Sequence, residues 1–163
     1  MLTMRAVLLI GLQLVLARIV AYGLPFDLEF LMTPREVRDL LGIEVRQIGD
    51  MAHADFERSF LGRPAKVDME FRDFGLKLLE IEWHLEQTGD PNRFASFQNS
   101  LESSLVGRYG TPLPEPSEIG SPIWEDGYTR VILDTFGTSM ARITYIWTGP
   151  NGRYDEHDFS DEL

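Results

Sequence analysis

The sequence predicts an α+β domain, with an antiparallel sheet and helices packed on one of its faces. Apolar residues recur at helical spacing in two segments and alternate with polar residues in several others. The chain has 163 residues, 44% of them hydrophobic, and its 10 Phe, 5 Tyr and 3 Trp can build a core. We therefore expect a single domain over residues 24–150.

The first helix is predicted to begin after Thr33. The Thr33 hydroxyl can cap the free backbone N–H groups, Glu36 can reach back to it, and Pro34 suits the first helical position. Gly42 can end the helix in a left-handed conformation. A short strand is expected at Ile43–Ile48.

The segment Asp50–Pro64 has no clear period and is predicted to be a loop. A hairpin is predicted next, because Ala65–Arg72 and Leu76–Glu86 both alternate between apolar and polar residues around the turn Asp73–Gly75. One face of this hairpin is expected to be buried and the other to be exposed to solvent.

Arg93–Tyr109 is predicted to be a second helix, since its apolar residues recur every three or four positions. The proline-rich segment 111–122 is predicted to be an extended connection. The alternative, a segment bound by an aromatic groove of a partner, stays open.

A second hairpin is predicted from Pro122–Glu125 and Tyr128–Thr135 around an Asp126–Gly127 turn. A last strand is expected at Met140–Trp147, followed by an acidic tail at 151–163. The two halves, 24–88 and 89–150, share the order helix, loop and antiparallel strands, with a late tryptophan in each. This order indicates a tandem helix-then-strands repeat.

Residues 1–23 are predicted to be a cleavable signal peptide. A basic start containing Arg5 precedes the apolar run Ala6–Ala17, and the small residues Ala21 and Gly23 suit a cleavage site. A membrane anchor and a buried helix are the alternatives, but Arg18 ends the run short of a bilayer span. We expect a bacterial periplasmic or secreted protein.

The charge predicts the class of partner. Loss of residues 1–23 removes Arg5, Arg18 and no acid, so the net charge changes from -11 to -13. Such a field disfavours nucleic acid and anionic membranes, and it favours a protein partner with a basic surface. The chain has no cysteine, which excludes disulfides and thiol chemistry. An endoplasmic-reticulum retrieval role for the last four residues is a minor alternative.

The solvent-exposed face of the first hairpin is the predicted partner-binding site. It carries Asp68, Glu70, Glu80, Glu82, His84 and Glu86. A solvated charged face without function would have the same pattern, and His84 beside Glu82 could also form an acid–base pair. Trp124 is the tryptophan most suited to partial exposure and is a candidate anchor for the partner, although packing in the core or at its rim is the favoured interpretation. No catalytic residue, metal ligand or cofactor is predicted.

The stretch Phe30–Gly42 resembles the opening helix of small bacterial envelope proteins, namely the SmpA/OmlA assembly lipoproteins and the tandem-repeat β-lactamase-inhibitor-like domains. The resemblance covers about 13 residues and the order of elements. This chain lacks the lipidation cysteine of the first group and the cysteine pairs of the second. The resemblance implies a non-catalytic, protein-binding envelope module, and no functional residue is transferred.

The sequence thus predicts a periplasmic or secreted binding module that recognises a protein through an acidic sheet face. The alternatives are a protein that binds a small ligand or cation and an acid–base enzyme that uses His84 with Glu82.

Overall fold

A computed structural model describes residues 24–73, 75–85, 91–114 and 120–149. The predicted signal peptide, Glu86 and the acidic tail lie outside these residues. The described residues form two α-helices and seven strands, a mixed α+β architecture dominated by its sheet. No helix among them is both long and apolar enough to cross a lipid bilayer.

A 3₁₀ turn at Pro25–Asp27 comes first in the described chain. It is followed by helix α1 (Pro34–Leu41) and the strands β1 (Arg46–Ile48), β2 (Met51–Phe60), β3 (Arg63–Arg72) and β4 (Gly75–His84). The second half contains helix α2 (Pro91–Tyr109) and the strands β5 (Ile123–Asp126), β6 (Thr129–Phe136) and β7 (Met140–Trp147).

All seven strands belong to one antiparallel sheet with the order β1-β2-β3-β4-β7-β6-β5. Each half of the chain forms a meander, and the two meanders meet where β4 pairs with β7. Both predicted hairpins are confirmed. The turn of the second lies at Gly127–Tyr128, one residue later than predicted, because Asp126 pairs with Thr129.

The start and end of α1 are as predicted. The Thr33 N–H donates to Glu36 Oε2 at 2.7 Å, and the Glu36 N–H donates to Thr33 Oγ1 at 3.3 Å. Gly42 ends the helix with φ of 68°. Two of the free N–H groups at the start of the helix are thereby satisfied by side chains.

The predicted loop over Asp50–Pro64 is wrong, because most of it is strand β2. The inward positions of β2 include Ala52 and Ala54, whose small side chains produce little alternation in hydrophobicity. A two-residue turn, Leu61–Gly62, joins β2 to β3 with positive φ at both positions. The predicted strand at Ile43–Ile48 is reduced to the three residues of β1.

One face of the sheet carries the core, and we call it the inner face. Trp83 lies at its centre, where the Phe60 ring stacks on it at 5.9 Å and the Phe97 ring of α2 meets it edge-on at 5.6 Å. Fully buried large side chains of this kind contribute roughly 1.5–3 kcal/mol each. The inner face also includes Val67, Met69, Phe71, Leu79, Ile81, Val131, Leu133, Ile143 and Tyr145, all buried.

The segment before α1 pairs with β4 where β4 extends beyond β7. The Leu31 N–H donates to the Leu76 carbonyl at 2.9 Å, and the Leu76 N–H donates to the Met32 carbonyl at 2.8 Å. Gly75 makes this approach possible, since a Cβ atom there would lie 2.9 Å from Leu31 Cα.

Candidate functional site

The opposite face of the sheet, which we call the charged face, carries five of the predicted site residues. On β3 and β4 the side chains that alternate with the core point to this face, and strand register brings them together. They are Asp68, Glu70, Glu80, Glu82 and His84.

Three carboxylates form a row across the charged face. Asp55 of β2 lies directly opposite Asp68 of β3, and Asp68 lies directly opposite Glu80 of β4. We call Asp55, Asp68 and Glu80 the acid row. Like charges directly opposite each other in a sheet are destabilising, so neighbouring groups must offset this repulsion.

Basic side chains flank Asp55 and Asp68, the first two acids of the row. Arg46 pairs with Asp55, and Lys66 Nζ lies 3.1 Å from Asp68 Oδ2. The His53 ring lies between the two acids, with Nδ1 3.9 Å from Asp55 Oδ1 and Nε2 3.6 Å from Asp68 Oδ1. A protonated His53 would attract both carboxylates.

Glu80 lies at the centre of the sheet, where two side chains of β7 contact its carboxylate. Its Oε1 accepts a hydrogen bond from the Thr144 hydroxyl at 3.2 Å and lies 3.7 Å from Arg142 Nε. Burial raises the pKa of the Glu80 carboxyl, and the nearby carboxylates raise it further, while Arg142 and Thr144 act in the opposite direction. Glu80 is therefore a carboxylate whose charge is poorly solvated.

A second row across the same face alternates in sign. It runs over five strands through Glu57, Lys66, Glu82, Arg142 and Asp134. Each charge in this row has opposite charges beside it, which stabilises a sheet. The charged face is thus less uniformly acidic than the sequence predicts, and the acid row is the place where like charges lie directly opposite each other.

His84 and Glu82 are in contact, as the acid–base alternative requires. His84 Nε2 lies 2.5 Å from Glu82 Oε1. The His84 side chain is 68% exposed, however, and it is not among the residues that line the cleft between the β2–β3 turn and α2. A general acid needs a pocket that holds a substrate next to it.

Trp124 is in the core, as the favoured interpretation of the sequence has it, and its candidate role as a partner anchor is wrong. Trp124 is 1% exposed, and its indole N–H donates to the Gly110 carbonyl at 2.9 Å. Register places Trp124 opposite Val131 on the inner face, away from the acid row. The tryptophan is part of the core and cannot touch a partner in this conformation.

Sequence reasoning missed several members of the charged face. Asp55 and His53 lie in the segment predicted to be a loop, so they were not expected beside Asp68. The contact of Arg142 with Glu80 depends on the pairing of β4 with β7, which no local pattern indicates. The missed residues that contact the acid row are Arg46, His53, Lys66, Arg142 and Thr144.

Over the described part of the chain, no group of three or more His, Asp and Glu side chains is arranged to hold a metal ion. No protein-family model matches the chain, and no curated protein or solved structure shows significant similarity to it.

Proposed function

We propose that this protein is a non-catalytic binding module, exported to the bacterial periplasm or exterior, that recognises a basic surface on a protein partner through the acid row. The observation that carries the proposal is the placement of Asp55, Asp68 and Glu80 on directly opposed positions of three adjacent strands. A Lys or Arg side chain of a partner would relieve the repulsion among them and gain charge-assisted hydrogen bonds.

An internal repeat supports a functional origin for the acid row. We infer that the halves 24–88 and 89–150 are repeats whose helices pack on the inner face. Met69 lies opposite Leu79 in the first half, and Leu133 lies opposite Ile143 in the second, each 64 positions later. The same offset relates Trp83 to Trp147.

The two inferred repeats differ at the acid row. In the second half, the positions equivalent to Asp55, Asp68 and Glu80 are held by Ile123, Ile132 and Thr144, which also lie opposite one another. The same backbone arrangement therefore forms without acids at these positions. Three adjacent carboxylates are unnecessary for the fold, which favours a role in recognition.

Charge and the resemblance to envelope proteins are consistent with this proposal. A net charge of -13 after removal of residues 1–23 would attract a basic partner from a distance. The resemblance of Phe30–Gly42 to envelope modules implies protein binding without catalysis. Export is tested by sequencing the amino terminus of the native protein after cell fractionation. Recovery of intact Met1 in the cytosolic fraction would contradict it.

The binding site is tested with a defined basic probe. A fluorescent peptide of alternating lysine and serine is titrated with the wild-type protein, with Asp68→Asn/Glu80→Gln, and with the control Glu44→Gln/Glu102→Gln. Both double variants remove two negative charges, but Glu44 and Glu102 lie outside the acid row. We expect Kd to rise about tenfold for the first variant and less than about twofold for the control.

An equal loss of peptide affinity in the two double variants would mean that binding depends only on the net charge of the protein, and the proposed site would be wrong. The physiological partner is then sought by comparing captures from an envelope extract with the wild type and with Asp68→Asn/Glu80→Gln. A partner retained equally by both, at low and at high salt, would also contradict the proposal.

A further inference from the structure

A cleft of about 640 Å³ lies on the side of the molecule away from the acid row. It is formed between the β2–β3 turn and the first three turns of α2. Its volume is in the range of sites that hold small organic molecules. Because Arg63 lies on the inner-face side of β3, this cleft and the acid row are on opposite faces of the sheet.

The cleft has an apolar floor. Phe97 and Leu101 of α2 are buried at its base, with 7% and 1% of their surface exposed. Leu61 at the turn is 51% exposed and forms part of the opposite wall. A ligand with an apolar group would cover Leu61 and the small exposed part of Phe97 and displace water from them.

Two arginines and two serines supply the polar lining. Arg93, Ser96 and Ser100 recur at helical spacing on the exposed face of α2 that borders the cleft. Arg63 faces them from β3, with its guanidinium carbon 4.8 Å from the centre of the Phe97 ring. The ring holds the guanidinium in place by a cation–π contact and leaves its N–H groups available to a ligand.

Arg63 and Arg93 have no described carboxylate within ion-pair distance, and the same is true of Arg58 and Lys77 of the sheet, which contact aromatic rings instead. Among the described residues, Arg46, Lys66, Arg72, Arg130 and Arg142 of the sheet each have a carboxylate within that distance. In a protein with a net charge of -11, two arginines on one cleft, each without a described carboxylate partner, favour an anionic ligand.

We propose that this cleft binds a small organic carboxylate that carries an aromatic or apolar group. The carboxylate is bound by the guanidinium groups of Arg63 and Arg93, and the hydroxyls of Ser96 and Ser100 donate further hydrogen bonds to it. The apolar group packs on Leu61 and on the exposed edge of Phe97. This site is independent of the proposed protein-binding function, because it uses other residues on the other face.

The test is a titration of the full-length protein with phenylacetate, followed by amide NMR shifts. We expect saturable shifts confined to residues 61–63 and 92–101. Phenylacetamide, which lacks the charge, and acetate, which lacks the ring, should each bind at least about tenfold more weakly. Equal binding of acetate would reduce the site to an unspecific anion contact and overturn the proposal.

Two variants and a control locate the site. Arg63→Gln and Arg93→Gln should each weaken phenylacetate binding by about tenfold or more. Arg35→Gln removes the same charge from an exposed, ion-paired position on α1 and should leave binding unchanged. Arg93 is exposed on a helix, so its variant stays informative if Arg63→Gln fails to fold. Absence of saturable shifts in the wild type, or affinity unchanged in both variants, would refute the proposal.

Discussion

Glu80 and Thr144 lie directly opposite each other on the two central strands, and the Thr144 hydroxyl donates a hydrogen bond to the Glu80 carboxylate at 3.2 Å. In the inferred repeat these two residues occupy equivalent positions, so the pseudo-two-fold axis passes between them. At this pair, β4 supplies a poorly solvated charge and β7 supplies a neutral hydroxyl. The energetics of the sheet centre therefore depend on the charge state of Glu80.

The contribution of Glu80 to the stability of the protein should fall as pH rises through its titration. Because burial raises the pKa of Glu80 in the folded state, its contribution to stability is fully present below the ordinary carboxyl pKa and is lost as pH rises through the folded pKa. Glu80→Gln removes this loss. We expect urea unfolding at about pH 7 to show that the variant is at least as stable as the wild type. The free energy of unfolding of the variant should also change less between about pH 4 and pH 7 than that of the wild type.

Glu44→Gln removes the same charge from an exposed position and serves as the control. A Glu80→Gln protein that is less stable than the wild type at neutral pH by more than about 1 kcal/mol would show that the contacts with Arg142 and Thr144 outweigh burial. If the variant is more stable but binds the basic peptide less well, recognition at the acid row is obtained at the expense of stability.

Alanine substitutions at two glycines should have opposite effects on stability. A Cβ atom at Gly75 would lie 2.9 Å from Leu31 Cα and 3.1 Å from the Leu31 carbonyl oxygen, so Gly75→Ala should destabilise the protein by roughly 1–3 kcal/mol. At Gly107, on helix α2, a Cβ atom would meet nothing within 4 Å. Gly107→Ala should therefore stabilise the protein by up to about 1 kcal/mol.

Thermal and urea unfolding of the two glycine variants measure this difference. If Gly75→Ala is neutral, the segment around Leu31 can separate from β4 without loss of stability, and its backbone pairing contributes little.

Removal of the Trp124 side chain should strongly destabilise the fold. Trp124→Ala leaves a cavity at a fully buried position and should lower the free energy of unfolding by roughly 3–5 kcal/mol. Trp124→Phe keeps most of the apolar volume but loses the hydrogen bond to Gly110, so a smaller loss of about 1–2 kcal/mol is expected. Tyr128→Ala, at a 55% exposed position nearby, should change stability by less than about 0.5 kcal/mol. Equal effects of Trp124→Ala and Tyr128→Ala would contradict the burial of Trp124.

Local patterns were sufficient to predict most of the helices and strands. The capping residues of α1 and the alternation in β3 and β4 act over a few residues, so the sequence predicts these elements directly. Strand β2 was missed because two of its inward residues are alanines and because Arg58 replaces an apolar residue in the alternation. Its pairing with β3 stabilises it, and this tertiary effect is absent from any short window of sequence.

The candidate site was predictable only in part. Alternation alone placed Asp68, Glu70, Glu80, Glu82 and His84 on one face. Their partners depend on the register of β2 with β3 and of β4 with β7, and register across distant segments is not encoded in a local period. For the same reason Trp124, which is adjacent in sequence to charged turn residues, stayed a candidate for partial exposure, and only its pairing opposite the buried Val131 places it in the core. The cleft between the β2–β3 turn and α2 has no local sequence signal at all.

One border of the sheet is covered by a backbone contact between two segments of the described chain. The Leu113 N–H donates to the Ile123 carbonyl at 2.7 Å, on the side of β5 that faces away from β6. An incoming chain cannot extend the sheet there without displacing Leu113, whereas the opposite border consists of the three residues of β1 and the 56% exposed Ile48. Any fibrillar misassembly of the folded protein would therefore start at β1, and its small number of backbone groups keeps this border a poor template for growth.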